Sequence, residues 1–162
     1  MIKMEDLRTM MFTLKFQNVS TYLQSGNIIF QETDANPEKM SVVIADSIFS
    51  TFGLKVPVII RSHQQLERIV KYNPFLSKNL PGIPNYAVTF LSKTPEKERV
   101  NSIKEIKYMT DQFLISSEEI YLNCPGGVGN TKFSNTFFES KLNVTATTRN
   151  WKTINELLIK ST

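Results

Sequence analysis

From residue 86 onward, patterns typical of short strands and of helices alternate in a single order. The predicted elements are a strand at 86–91, a helix after Thr94-Pro95, strands at 113–116 and 120–124, a helix at 131–142, a strand at 144–149 and a helix at 151–160. Strand, helix, two strands, helix and strand is the element order of the ferredoxin-like, or split βαβ, plan. The second half is therefore predicted to fold as a small α+β domain.

The first half repeats this order but lacks the opening strand. Its predicted elements are a helix at 4–14, strands at 19–24 and 27–31, a helix from Pro37 up to Gly53, a strand at 56–61 and a helix opened by a capping box at Ser62. In the ferredoxin-like plan the leading strand lies between the third and fourth strands. Its absence would leave residues 56–61 without a hydrogen-bonding neighbour, so we expect the natural protein to begin about a dozen or more residues before Met1.

The length and composition allow two such units. The chain has 162 residues, of which 41% are hydrophobic and 11 are Phe, so it has enough apolar material for a real core. We predict an α+β protein of two tandem ferredoxin-like units, the first lacking its leading strand. Residues 1–73 form the first unit, residues 74–84 a proline-rich linker, and residues 85–162 the second unit with a C-terminal helix.

Several classes of protein are excluded by composition. Apolar runs of about four residues are far too short to cross a bilayer, and no leader pattern opens the chain, so no membrane association is predicted. The single cysteine, Cys124, cannot form an intrachain disulfide, which fits the cytoplasm. His63 has no second ligand nearby, so no metal site is predicted, and no motif indicates a cofactor. The net charge of +4 is compatible with nucleic acid without requiring it.

Four motifs resemble one bacterial family. They are YLQSGNIIF at 22–30, VPVIIRS at 56–62, GGVGNTKFSN at 126–135 and TATTRNWKT at 145–153. In these motifs the chain is similar to the domain of unknown function DUF1697, in order and over essentially its whole length. Members of that family typically begin with a strand and a glycine-rich loop, before the segment that resembles residues 2–8 here. The resemblance implies a fold and a bacterial origin, and it implies no activity.

A glycine-rich stretch is the first candidate site. Gly126, Gly127 and Gly129 join a predicted strand to a predicted helix whose first turns carry Lys132 and Ser134. Backbone N–H groups that converge in such a loop, together with the positive end of a helix, can hold a phosphate. The stretch is not a Walker A loop, because the glycine spacing differs and no Ser or Thr follows the lysine. The alternative is an ordinary strand-to-helix turn with a solvated lysine.

A second candidate lies at the end of the last predicted strand. Arg149 could bind phosphate or carboxylate through two parallel hydrogen bonds, and Trp151 could stack on a base. The alternative is that these residues have a structural role, and this alternative is favoured. Asn150 is a good helix N-cap, and a tryptophan beside an N-cap usually packs against the core. In the ferredoxin-like plan, Arg149 could lie well away from the glycine-rich stretch.

Three functions remain open on these residues. The first is binding of a phosphate-bearing ligand, a nucleotide or nucleic acid, through Gly126, Gly127, Gly129 and Lys132, with Arg149 and Trp151 as secondary contacts. The second is a non-catalytic protein-interaction or oligomerisation module, whose open sheet faces pair with another protein or with a second copy. The third is an enzyme acting on a small anionic substrate, for which the sequence offers no acid–base pair.

Overall fold

The computed structural model describes residues 2–33, 36–80 and 84–162 and shows a mixed α+β protein. By the density of its internal contacts, the chain divides into two compact units. The first unit contains the residues up to His63 together with Leu157–Thr162, and the second unit contains Gln64–Glu156. The predicted linker at 74–84 includes residues 81–83, which lie outside the described residues, and the predicted boundaries at 73 and 85 stay a prediction.

In the first unit, two helices pack with one β-hairpin. The elements are α1 (Met4–Thr13), β1 (Gln17–Tyr22), β2 (Asn27–Gln31) and α2 (Pro37–Phe52). As predicted, Asn36 caps α2 by accepting a hydrogen bond from the Lys39 N–H at 3.0 Å, and Gly53 ends the helix in the left-handed conformation. The core of the unit is formed by Leu7, Met10, Met11, Phe16, Val19, Ile44 and Ile48.

The predicted strand at 56–61 is not observed as a strand. Residues 54–61 form neither a helix nor a strand, and in the described part of the chain no strand pairs with them. Val58 and Ile60 pack against the core of the first unit, while Val56 and Pro57 are exposed. The residues have the composition of a strand, but a strand also requires a hydrogen-bonding neighbour. We call residues 54–62 the connecting segment.

The end of the chain completes the first unit. Its last helix, called α6 here, spans Trp151–Lys160 as predicted, and its residues from Leu157 onward are grouped with the first unit. The Lys160 amine lies over the Tyr22 ring, 5.4 Å from its centre. The Ser161 hydroxyl lies 2.9 Å from Nδ1 of His63. The first unit is therefore built from two segments that are far apart in the sequence.

The second unit contains a four-stranded antiparallel sheet. Its elements before α6 are α3 (His63–Lys71), β3 (Tyr86–Leu91), α4 (Lys97–Ile103), β4 (Gln112–Ser116), β5 (Glu119–Asn123), α5 (Asn135–Leu142) and β6 (Ala146–Asn150). The strand order is β4-β5-β3-β6, so the leading strand β3 lies between β5 and β6, as predicted for this half. The tandem ferredoxin-like arrangement as a whole stays a prediction.

Both faces of this sheet are covered at its centre. On one face, Ala87, Leu91 and Leu122 are buried in a core with residues of α4 and α5. On the other face, Val88 and Tyr121 pair in register and are also buried. The hypothesis that open sheet faces bind a partner therefore does not fit the centre of this sheet.

Candidate functional site

The glycine-rich stretch begins with a tight turn after β5. The Gly127 N–H donates to the Cys124 carbonyl at 2.8 Å, so Pro125 and Gly126 occupy the centre of a β-turn. Gly127 has a φ of 100°, a conformation that side-chain-bearing residues rarely adopt. The two glycines are thus explained by the turn itself, which is the structural alternative weighed in the sequence.

The rest of the stretch leads to α5 by a longer route than predicted. A single 3₁₀ turn at Val128–Asn130 follows, and α5 begins at Asn135, four residues after the predicted start at 131. Lys132 therefore lies before the helix, and Ser134 is its N-cap, accepting a hydrogen bond from the Phe137 N–H at 3.2 Å. The predicted continuous join between glycine loop and helix N-terminus is wrong, because Phe133 is drawn into the core between them.

Lys132 remains the one basic side chain that the glycine-rich stretch carries. Its amine lies over the ring of Tyr108, 5.1 Å from the centre, and the side chain is exposed. A Cβ added at Gly126 or Gly129 would meet no atom within 4 Å, so the loop faces open space there. An anion could approach this loop without displacing protein atoms.

Cys124 is buried below the same turn. Burial raises the pKa of its thiol from 9.0 to about 11, and a hydrogen bond with the Thr131 side chain opposes part of that rise. The Asp111 carboxylate adds a smaller contribution in the upward direction. Because a nucleophilic cysteine needs a lowered pKa, this residue is a core residue.

Arg149 is held by its own strand. Its guanidinium donates to the Thr147 hydroxyl at 2.7 Å and to the Thr148 carbonyl at 3.0 Å. Burial lowers the pKa of the guanidinium from its ordinary value. Its donors are thus at least partly committed to protein acceptors, and the side chain is half-buried.

Trp151 begins α6 and packs among aromatic rings. It meets Tyr86 edge-on with ring centres 6.2 Å apart, and Tyr86 stacks on Phe75 at 6.4 Å. Asn150 accepts a hydrogen bond from the Thr153 N–H at 2.8 Å and so caps the helix, as the sequence indicated. This is the structural role that a tryptophan beside an N-cap was expected to have.

The register of the sheet separates the two candidate sites. Arg149 pairs with Val88, which pairs with Tyr121, so Arg149 lies on the face opposite the core of α4 and α5. Cys124 and Phe133, which flank the glycine-rich stretch, belong to that core. The predicted secondary contacts Arg149 and Trp151 are therefore on the other side of the sheet from the stretch.

A surface of the first unit was not singled out from the sequence. Large apolar side chains are exposed along the outer side of α2 and the start of the connecting segment: Val42, Val43, Phe49, Leu54 and Val56, each between 41% and 59% exposed. We call these five residues the outer surface. Phe49 and Val56 also line a groove of about 330 Å³, together with Ala45, Asp46, Lys55 and Pro57. The signal in the sequence was a helix with more apolar residues than one buried stripe needs.

Neither a metal-binding cluster nor a membrane-spanning helix occurs in the described ranges. No group of three or more His, Cys, Asp or Glu side chains is arranged there to hold a metal ion. None of the helices in these ranges combines the length and apolar character needed to span a bilayer.

Comparison with known proteins identifies the family of the chain. A search of curated proteins gives no match. Among solved structures, the chain is similar to a conserved bacterial protein from Streptococcus pneumoniae, with a TM-score of 0.70 and 18% identity, over 99% of this chain and 89% of that one. At this identity the similarity shows the fold alone. Residues 1–121 match the family described as protein of unknown function, DUF1697, and the chain therefore belongs to that family.

Proposed function

We propose that this protein is a non-catalytic protein-interaction module that binds its partner through the outer surface of the first unit. The observation that carries the proposal is the exposure of these five large apolar side chains, two of which, Phe49 and Val56, line one groove. Surfaces of this kind mark protein-binding sites, since isolated proteins normally bury or disperse such groups.

The arrangement of α2 supports this assignment. Ile44 and Ile48 face the core and are almost fully buried, so α2 already has the apolar stripe that its packing requires. Val42 and Phe49 lie on a different side of the helix and are about half exposed. About half of each of these apolar side chains is therefore left uncovered by the packing of the first unit.

We expect a photoreactive benzoylphenylalanine placed at Phe49 to form a covalent adduct with a partner protein in living cells. Met109 is a matched control, because it is apolar and 85% exposed but belongs to the second unit. The adduct should disappear when Leu54→Asp is added, since docking would then bury an unpaired carboxylate. The measurement is a mass shift on a denaturing gel. An adduct as abundant at Met109 as at Phe49, or one indifferent to Leu54→Asp, contradicts the proposal.

A phosphate-bearing ligand, a nucleotide or nucleic acid, at the glycine-rich stretch is the second candidate. It is favoured by the open space at Gly126 and Gly129 beside the exposed Lys132. In the described part of the chain, Lys132 forms no ion pair with a carboxylate, so its charge is available to an anion. In this candidate site, Ser134 caps α5 and Gly127 shapes the turn, and neither residue contacts the anion directly.

If that candidate is right, phosphate, nucleotides or short oligonucleotides should stabilise the protein at low salt. A ligand at about a hundred times its Kd adds about 2.7 kcal/mol to the free energy of unfolding, which a thermal melt detects. Lys132→Ala should remove the shift, and Lys97→Ala, at another exposed lysine of the second unit, should retain it. An unchanged response in Lys132→Ala, or no response to any of these anions, excludes this candidate.

The finer structural and cellular assignments belong to the same proposal. The single cysteine fits a reducing compartment, and we place the protein in the cytoplasm. We also infer that the first unit corresponds to the second as one half of a tandem ferredoxin-like pair. The support is the shared order of helix, hairpin and helix, which is α1-β1-β2-α2 in one half and α4-β4-β5-α5 in the other.

A further inference from the structure

The sheet of the second unit has one edge that is open to a further strand. Its four strands lie in the order β4-β5-β3-β6, so β4 and β6 are the two edge strands. At the β6 edge, the Glu139 carboxylate accepts a hydrogen bond from the Ala146 N–H at 2.9 Å. In the described part of the chain, no strand pairs with the outer edge of β4.

The neighbouring ladder shows which backbone groups of β4 face that open edge. The Leu91 N–H donates to the Glu118 carbonyl at 2.8 Å. Because pairs in an antiparallel ladder alternate, the even-numbered residues of β5 bond to β3, and the odd-numbered residues bond to β4. Leu114 pairs with Tyr121, so its backbone groups bond to β5. The residues on either side of Leu114 therefore direct their N–H and C=O groups outward.

These two residues, Phe113 and Ile115, make the open edge complementary to a second copy of itself. Two copies of β4 that run antiparallel about Leu114 place Phe113 of each copy opposite Ile115 of the other. Each of these pairs exchanges two backbone hydrogen bonds, so every outward group of both strands finds a partner. A register shifted by two residues would instead place Ile115 opposite Asp111, which lies outside β4.

The side chains of β4 suit the same pairing. A twofold axis at Leu114 brings this side chain, which is 39% exposed, against the same leucine of the second copy. A charged residue at the axis would face its own like charge, which destabilises a strand pair. The strand, QFLIS, contains no charged residue and no proline, the residue types with which proteins usually prevent pairing at an edge.

We propose that two copies of this chain associate through β4, which pairs antiparallel with itself about a twofold axis at Leu114. The two four-stranded sheets then form one continuous sheet. A second copy is the occupant of the edge, because the register that satisfies the outward groups is symmetric and brings apolar side chains to the axis. This interface belongs to the second unit and is independent of the proposed function, which concerns the first.

Sedimentation equilibrium of the full chain tests the proposal. A single short strand gives a small interface, so the mass is measured up to about 200 µM, where it should approach that of two chains. Leu114→Lys should raise the dissociation constant about tenfold, because it removes the leucine contact and brings two ammonium groups together. Leu76→Lys is the matched control, since this leucine is 51% exposed in the second unit and lies outside the sheet, and it should leave the dimer intact.

Amide hydrogen exchange tests the same pairing without any substitution. At about 200 µM, the amides of Phe113 and Ile115 should exchange more slowly than in dilute protein, because pairing of the edges protects them. The amide of Leu114 bonds to β5 in either state, so its exchange should depend less on concentration.

Cysteine substitution locates the axis. In the proposed register the two Leu114 Cα atoms lie about 4.5 Å apart, which a disulfide can span, so diamide should convert Leu114→Cys into a covalent dimer. The two copies of Ser116 lie about 14 Å apart, so Ser116→Cys alone should remain a single chain on a nonreducing gel. A mixture of Ser116→Cys and Gln112→Cys should cross-link, because these positions face each other. The natural chain is the background control, since its one thiol, that of Cys124, is buried.

Three results would each overturn the proposal. The first is the mass of a single chain at about 200 µM, and the second is a dimer that Leu114→Lys leaves as intact as Leu76→Lys does. The third is cross-linking of Ser116→Cys alone that is as efficient as that of Leu114→Cys. None of these results bears on the adduct at Phe49, so the proposed function stands or fails separately.

Discussion

Phe133→Ala is expected to lower the free energy of unfolding of the second unit by about 3–5 kcal/mol. Phe133 is 2% exposed, and its ring lies 4.7 Å from that of Phe113 and 5.6 Å from that of Phe137, measured between ring centres. Phe138 and Tyr108 complete the aromatic cluster around it. Alanine would leave a cavity that this rigid cluster cannot close, so both burial and ring contacts are lost.

Urea unfolding followed by fluorescence measures this effect. The chain has a single tryptophan, Trp151, which belongs to the second unit and therefore reports on it. Tyr72→Ala is the matched control, since this aromatic side chain is 62% exposed and should cost less than about 0.5 kcal/mol. A loss below about 1 kcal/mol for Phe133→Ala would show that Phe133 is not a central core residue.

Cys124 is expected to react with iodoacetamide about a hundredfold more slowly in the native protein than in urea. The thiolate is the reactive form, and a pKa raised from 9.0 to about 11 reduces its fraction at pH 8 about a hundredfold. Thr131→Val should slow the reaction further, because the Thr131 hydrogen bond lowers the pKa of the thiol. Equal rates in native and unfolded protein would contradict the burial of this thiol.

The same shift predicts a change in stability at alkaline pH. The pKa of Cys124 is higher in the folded protein than in the unfolded chain. The neutral thiol therefore makes its full contribution to the free energy of unfolding below about pH 9. This contribution is lost as the pH rises to about 11, with a total of about 3 kcal/mol. The free energy of unfolding of Cys124→Ala should fall less steeply over this range than that of the natural chain. Parallel curves for the two proteins would refute the assignment.

Local signals predicted the helices that carry their own start and stop residues. Asn36 and Asn150 mark the starts of α2 and α6, because each side chain accepts a hydrogen bond from an N–H group in the first turn of its helix. Gly53 marks the end of α2, because it adopts the left-handed conformation there. The strand β3 was predicted at its observed bounds from its apolar and β-branched residues. Such signals involve only residues that are close to one another in the sequence.

The predictions that were wrong concern elements whose structure depends on residues far away in the sequence. Residues 56–61 have the composition of a strand, yet a strand is defined by a neighbour that the pattern cannot supply. The helix predicted from residue 131 begins at Asn135, because burial of Phe133 in the aromatic cluster competes with helix formation. Tertiary packing decided the outcome in both cases.

The candidate site was predicted less well than the fold. Glycines followed by a lysine suggest a phosphate loop, but Pro125 and Gly126 at the centre of a β-turn explain the first two glycines equally well. The faces of the sheet, and hence the separation of Arg149 from the glycine-rich stretch, follow from strand order and register. Neither can be obtained from one sequence without pairing information.

The grouping of Leu157–Thr162 with the residues up to His63 has a consequence for protein synthesis. A ribosome makes the chain from its N-terminus, and domains generally fold as units during that process. The second unit is complete once Glu156 has left the exit tunnel, whereas the first unit, begun earlier, still waits for Leu157–Thr162. The unit whose synthesis begins first is therefore completed after the second unit.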